Sequence, residues 1–357
     1  LGGVAGCGVA GGILIPTLVN EASLLVAALL TLVFGALAAW RASTSPRAIA
    51  GTLALSTLAA LVGIVGCQRQ LRPRSGLGVE IARHASGHSL LLVMEDRATG
   101  QRYLVDDFVL QNCYETRSTT SCASFTHALR ALSEAYAGIP ERALCVGLGI
   151  GVAPMELAAS GSKVDAVEIH PGIPRLAASH FGFAPGAVKV ELADGRGVLH
   201  DRSAEYDLVI LDAFSGDSSP SHLLSREAFI DVQKALRPGG VLLLNCIASM
   251  KPEQDAFVRA VKSTLETVFQ ASCLHVSPGG NLFFVASDSD LQPDFDRALQ
   301  GVDETFRERV GKTFEDRRRV LPRAGLVMTD DFNPIEFHDA TFRAAERERL
   351  AWLMYRK

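Results

Sequence analysis

The sequence predicts an α/β fold. It comprises a Rossmann-like, methyltransferase-type parallel sheet with a late antiparallel hairpin, preceded by a small antiparallel β domain and by N-terminal transmembrane helices. Three observations predict it. Between Ala143 and Cys246 short apolar runs alternate with helical segments, the pattern of a parallel sheet covered on both faces. A glycine turn, "GLGIG", follows the first of those runs. The first 67 residues are nearly free of charge, whereas the rest of the chain is ordinarily polar.

Thr17 to Trp40 and Ala48 to Gly66 are apolar runs, each long enough to cross about 30 Å of hydrocarbon as a helix. "RASTSPR" joins them, and Leu1 to Pro16 reads as the end of another span, so residues 1–67 are assigned to transmembrane helices. They account for the positive mean hydropathy, +0.20. "QRQLRPR" carries three arginines against two in "RASTSPR", which places the Gln68 side in the cytoplasm. The expectation is a multi-pass protein of the cell inner membrane with a cytoplasmic catalytic domain. "IVGC", ending at Cys67, leaves open a rival reading as a lipoprotein cleavage box, which would put the remainder outside the cytoplasm.

Residues 78–135 read as a small β-strand domain plus a helix. Short β-rich runs separated by "ASGH" and "RATG" suggest antiparallel strands over 78 to 112. "ASFTHALRALSEAYAG" has helical spacing and stops at Gly138. Residues 136–290 hold the parallel strands, near Ala143–Gly147, Val164–Glu168, Val188–Glu191, Tyr206–Asp212 and Gly240–Cys246, then a hairpin from "CLHVSP" and "NLFFVAS". Residues 291–357 read as a helical extension, with Phe295, Leu299, Val302, Phe306, Val310 and Phe314 on one helix face. In "MTDDFNPIEF", Asn333 suits a cap, Pro334 the first helical position and Glu336 a capping box. Capping leaves Asp330 and Asp331 unexplained, as candidates to face the cleft.

The net charge of −4 offers no basic footprint for nucleic acid. Seven cysteines form no CxxC pair and no metal-ligand spacing, so no metal is expected. Cys145 and Cys246 read as buried thiols; proximity of Cys113 to Cys122 is left open, with a reduced compartment as the default.

Candidate site residues cluster at strand ends. Gly147, Gly149 and Gly151 allow a tight turn and a close ligand approach, or serve packing alone. Glu168 lies 17 residues after Gly151, at the end of the next strand, where an acid accepts hydrogen bonds from ribose hydroxyls. Asp194, followed by Gly195 in "ADGR", ends the third strand, where an adenine amino group would be met. A third acid there favours an adenosylmethionine-type ligand over a dinucleotide. "YDLVILDAFSGDSSP" ends an apolar strand on Asp212 and sets Asp217 in the loop beyond. Two such carboxylates can hold and deprotonate a cation, or be a turn cap and a solvated acid.

The order GLGIG, VEIHP, ADGR, YDLVILDAFSGDSSP and LRPGG resembles the spermidine/spermine synthase (polyamine aminopropyltransferase) family over roughly residues 78 to 290. "LVDDFVLQ" is similar to that family's N-terminal strand domain, and the apolar start to its membrane-fused members. The resemblance implies transfer of an aminopropyl group from decarboxylated S-adenosylmethionine to an amine, leaving methylthioadenosine, in a homodimer. It implies that Asp212 is the catalytic aspartate, that Asp217 binds the amine, and that Gln111 and His127 face cofactor and substrate, though His127 also suits packing. Two departures matter. Ile150 stands where the family's glycine loop carries an acid for the aminopropyl ammonium, and "TTSCASFTHAL" lacks the family's tyrosine motif. Two alternatives therefore stay open: an S-adenosylmethionine-using enzyme without a polyamine acceptor (methyltransferase or lyase/cyclase), and a non-catalytic nucleoside sensor coupled to a membrane domain.

Overall fold

Strands β6 (Arg142–Val146), β9 (Tyr206–Leu211) and β10 (Leu236–Ile247) bury side chains of both parities, which only a sheet covered on two faces requires. Ala143, Cys145, Leu208, Ile210, Val241 and Leu243 enter one apolar cluster; Leu144, Val146, Val209, Leu211, Leu242 and Leu244 enter the other. The computed structural model that shows this describes residues 76–355 apart from 87, 108 and 215–218. Leu77–Arg83 and Leu91–Leu353 form one compact unit. The other unit, Leu1–Gly76 with His84–Leu90 and Met354–Lys357, lies mostly outside the described residues, and the predicted spans of residues 1–67 lie wholly outside them. Among the described residues no helix is long and apolar enough to cross a membrane.

The first sheet has five strands in sequence order: β1 (Val79–Ala85), β2 (Leu90–Asp96), β3 (Gln101–Asp106), β4 (Val109–Glu115) and β5 (Thr120–Ser121). Asp96 makes the β2–β3 turn by accepting from the Ala98 N–H (2.9 Å) and the Thr99 hydroxyl (2.9 Å), before Gly100 at φ +81°. The sheet runs past the expected end at residue 112, because "TTS" pairs back on β4. A disulfide joins Cys113 to Cys122 across this hairpin (Cα–Cα 5.2 Å), in contrast to the expectation of reduced thiols. Helix α1 (Ser124–Ala137) follows as expected and stops at Gly138, φ +66°.

The second sheet has the order β13-β11-β12-β10-β9-β6-β7-β8. Strands β7 (Lys163–Glu168) and β8 (Lys189–Leu192) extend one side of β6 in parallel, while β9 and β10 extend the other. The crossover helices are α2 (Val152–Ala159), α3 (Gly172–His180), α4 (Gly195–His200) and α5 (Arg226–Ala235). Helix α6 (Ala256–Glu266) then leads to the hairpin of β11 (Ala271–Val276) and β12 (Asn281–Ser287), which pairs antiparallel with β10. "LRPGG" enters β10 as an irregularity: its register on β9 shifts between Leu236 and Val241, where Pro238 has no N–H and Gly239 takes φ +79°.

The single amphipathic helix expected over residues 295–314 is two helices, α7 (Phe295–Gln300) and α8 (Glu304–Glu315). Asp303 forces the break by capping α8: its carboxylate accepts from the Thr305 N–H (2.8 Å). Asp303→Ala should destabilise the fold by loss of this cap, read as a lower denaturation midpoint with an unchanged denaturant slope. The extension also contains a short edge strand, β13 (Arg317–Arg318), and a long irregular stretch before the terminal helix α9 (Ile335–Tyr355).

Candidate active site

The chain moves outward from β6 in opposite directions, through β7 and β8 on one side and β9 and β10 on the other. Loops leaving β6 and β9 therefore part and open a crevice at the carboxyl ends of the strands. Gly147 begins the β6 loop at φ +98°, and an added Cβ there would collide with the backbone carbonyl of Asp212. At their first residues, before they part, the two loops come together because Gly147 has no side chain. Gly149 is exposed at φ +54°, and a Cβ on it would meet nothing within 4 Å, which leaves room for a ligand to approach the backbone. Gly151 and Gly195 are different. A Cβ on Gly151 would strike the Phe183 ring, and one on Gly195 would strike Val146, so both glycines serve packing at helix starts.

Glu168 is buried at the end of β7. Its Oε2 accepts from the Leu148 N–H (3.0 Å) and its Oε1 from the His170 N–H (2.8 Å), so it ties the glycine loop to the exit of its own strand. Burial pushes its pKa up; these amides oppose that, and the nearby Asp106 carboxylate adds to it. Ile169 and Leu192, exposed apolar residues at the ends of β7 and β8, flank this acid. Asp194 caps α4 by accepting from the Arg196 N–H (2.7 Å), and its Oδ1 lies 3.4 Å from His222 Nε2.

Asp212 follows β9, held by its N–H donating to the Val146 carbonyl (2.9 Å). Its Oδ1 accepts from Asn245 Nδ2 (2.8 Å), and Asn245 Oδ1 in turn accepts from Asn281 Nδ2 (3.1 Å). The relay crosses β9, β10 and β12. Asn281 fixes which way the Asn245 amide points, and so guarantees a donor toward Asp212. Burial raises the Asp212 pKa and the Asn245 bond opposes it. A small cavity meets Asp212 and is otherwise lined by Gly147, Leu148, Gly149, Ile150, Val152, Ala153, Pro154, Leu129, Cys145, Ile210, Asn112 and Thr126.

The structure thus brings Gly147, Gly149 and Asp212 to one cavity and sets Glu168 and Asp194 at the neighbouring strand ends. Ile150 is buried, with its side chain in the core beside that cavity. Asp217 lies outside the described residues. Two positions implied by the resemblance, His127 and Gln111, are next in sequence to residues that line the cavity. His127 is buried in packing, with Nε2 2.8 Å from the Ser121 carbonyl and its ring stacked on Phe306 (4.0 Å); its neighbour Thr126 lines the cavity. Asn112, next to Gln111 in β4, lines the cavity. Sequence reading also missed Asn245 and Asn281. Their signal was an amide inside the apolar runs "VLLLNC" and "NLFFVAS", since a buried polar residue needs a partner.

No family model matches the chain. A polyamine aminopropyltransferase of Vibrio vulnificus is 36% identical over 118 residues, covering 31% of this chain and 40% of that protein. An N-terminal histidine N-methyltransferase of Emericella nidulans is 28% identical over 204 residues, covering 52% of this chain and 34% of that protein. The chain therefore spans less than half the length of either relative, and both are transferases. The spermidine synthase of Thermotoga maritima superposes at a TM-score of 0.54 with 16% identity, covering 68% of this chain and 84% of that one, a likeness of fold. The motif order, the fold and the aminopropyltransferase relative point the same way: over about a third of its length the chain is similar to a polyamine aminopropyltransferase, and it shares the fold of a spermidine synthase.

Proposed function

We propose that this chain is an aminopropyltransferase-like enzyme that takes S-adenosylmethionine or its decarboxylated form and releases methylthioadenosine, with Asp212 as general base. The observation that carries the reading is Asp212 at the head of β9, facing the glycine-loop cavity on a hydrogen-bonded relay. The glycine loop and Glu168 would take the ribose, Asp194 the adenine amino group, and Ile169 and Leu192 the faces of the base. An acceptor amine attacks the carbon beside the sulfonium. The C–N bond forms, the C–S bond breaks with its electron pair going to sulfur, and the amine proton passes to Asp212. Asp217 would hold the amine. A carboxylate whose pKa is raised by burial is the stronger base once ionised. The apolar start would anchor the enzyme in a membrane, with the catalytic domain in the cytoplasm and a second copy as partner.

Ile150 favours a second reading. An aminopropyl ammonium entering this cavity meets an apolar wall at the position where an acid would pair with it, and burying an unpaired charge is costly. The same donor site would then serve intact S-adenosylmethionine, by methyl transfer or by an intramolecular displacement with no polyamine. The test incubates the protein with each donor, with and without putrescine or spermidine, and identifies products by mass spectrometry. A new polyamine with methylthioadenosine supports aminopropyl transfer. Methylthioadenosine without an amine supports the intramolecular route, adenosylhomocysteine supports methyl transfer, and no product from either donor rejects both readings.

The relay makes a pH prediction. The Asn245 bond favours the ionised Asp212, so removing it raises the pKa of the base. Asn281→Asp should turn the Asn245 amide round, because a carboxylate only accepts. The acidic limb of the kcat/KM profile should then move to higher pH, by about one unit. An unmoved limb would remove the relay from the mechanism.

A further inference from the structure

The C-terminal segment "MTDDFNPIE" remains outside the chemistry above, yet its side chains are engaged. Met328 and Ile335 are buried in the same apolar cluster and peg the segment at both ends. Between them, it grips the loop that leads from the site into α5. The Arg226 N–H donates to the Met328 carbonyl (2.8 Å), and the Ser225 hydroxyl to the Asp330 carboxylate. Asn333 Nδ2 donates to the Ser221 carbonyl (2.8 Å), and the Ser221 hydroxyl donates to Glu336 Oε1 (3.0 Å). Asn333 also caps α9 by accepting from the Ile335 N–H (3.2 Å), as expected. Glu336 departs from the expected capping box because Ser221 takes it.

Asp330 does not line the cavity at Asp212. It accepts both terminal nitrogens of Arg196, at 3.3 and 3.1 Å, in a fork-to-fork pair. Arg196 also donates through Nε to the buried Asp231 (2.9 Å) and through a terminal nitrogen to the His222 carbonyl (3.0 Å). Arg196 lies two residues after Asp194, and its own N–H is the one that the Asp194 carboxylate caps. The His222 ring reaches the same Asp194 oxygen. Asp330, Arg196, His222 and Asp194 thus form one chain of contacts.

We propose that the Met328–Glu336 segment is a strap that positions the nucleoside-binding edge, with Asp330 the positioning residue that aligns Asp194 through Arg196 and His222. This rests on the reading of Asp194 as the adenine contact. Asp330 touches no reacting atom, so its loss should weaken donor binding and leave the chemical step alone. Without it the Arg196 fork keeps Asp231 but loses the carboxylate that sets its plane. The His222 carbonyl then loses a fixed donor, and the Asp194 cap loosens.

The test compares the whole protein with Asp330→Asn and Asp330→Glu. Methylthioadenosine affinity is measured by calorimetry and, where turnover is found, KM is separated from kcat. Asp330→Asn should weaken methylthioadenosine binding and raise the donor KM about three- to tenfold with kcat within twofold. Asp330→Glu, which keeps the charge, should recover part of the affinity. Equal affinity in wild type and Asp330→Asn, with or without a lower melting temperature, overturns the strap alone. A wild type that binds no methylthioadenosine overturns the nucleoside reading and this proposal with it.

Discussion

Asp212→Asn should lower turnover by about 10²- to 10⁴-fold, the usual worth of a positioned general base, while methylthioadenosine affinity stays within a few fold of wild type. The amide keeps an oxygen for Asn245 to donate to, so the relay survives and only the proton acceptor is lost. Stability should move the other way. The folded-state pKa of Asp212 lies above its unfolded value because burial disfavours the charge. Such a group favours the folded state while protonated at low pH and withdraws that support as pH rises past the unfolded value. Asparagine carries no such penalty, so at neutral pH the variant should melt at or above the wild-type temperature. Lost turnover with retained melting marks a functional carboxylate; retained turnover, or a collapse in melting, would leave Asp212 a structural residue.

The second large effect falls on the backbone. Gly147→Ala should destabilise the fold by about 2–4 kcal/mol, read as a lower denaturation midpoint, and abolish activity as well. Its φ of +98° suits only glycine, and the new methyl would meet backbone atoms of Asp212 and Ala213, which no rotamer change can move aside. Gly149→Ala provides the contrast. Its φ of +54° is the left-handed region an alanine enters at about 1 kcal/mol, and the methyl would find open space. That variant should fold and lose donor affinity instead, as KM rather than kcat. Matching losses in both would show that the loop does not divide into a packing glycine and an approach glycine.

Much of this was legible in the chain because strand ends announce themselves. The glycines of "GLGIG" and the acids Glu168, Asp194 and Asp212 each close an apolar run, and a parallel sheet brings such ends to one edge. What could not be read was which way side chains turn. Gly149 and Gly151 look alike in the sequence, and only the Phe183 ring assigns one to packing. Thr126 and Asn112, which line the cavity, each lie one position from a residue that the sequence singles out, and neither the 3.6-residue helix period nor an irregular strand shows from sequence which of two neighbours turns inward. Long-range partners were further out of reach. Asn281 lies 36 residues from Asn245, and Asp330 lies 134 from Arg196, separations that local periodicity does not encode. The break at Asp303 was hidden because α7 and α8 continue one apolar stripe across it.

The relay behind Asp212 bears on how this fold can diversify. The Asp212 carboxylate is held through Asn245 and Asn281, on strands β10 and β12 beside its own β9. On the proposed reaction, sequence change in the loop before Ser221 would alter acceptor preference and leave this relay in place. Chimaeras that carry this loop from a relative should then retain the acidic limb of the parent that supplied the strands.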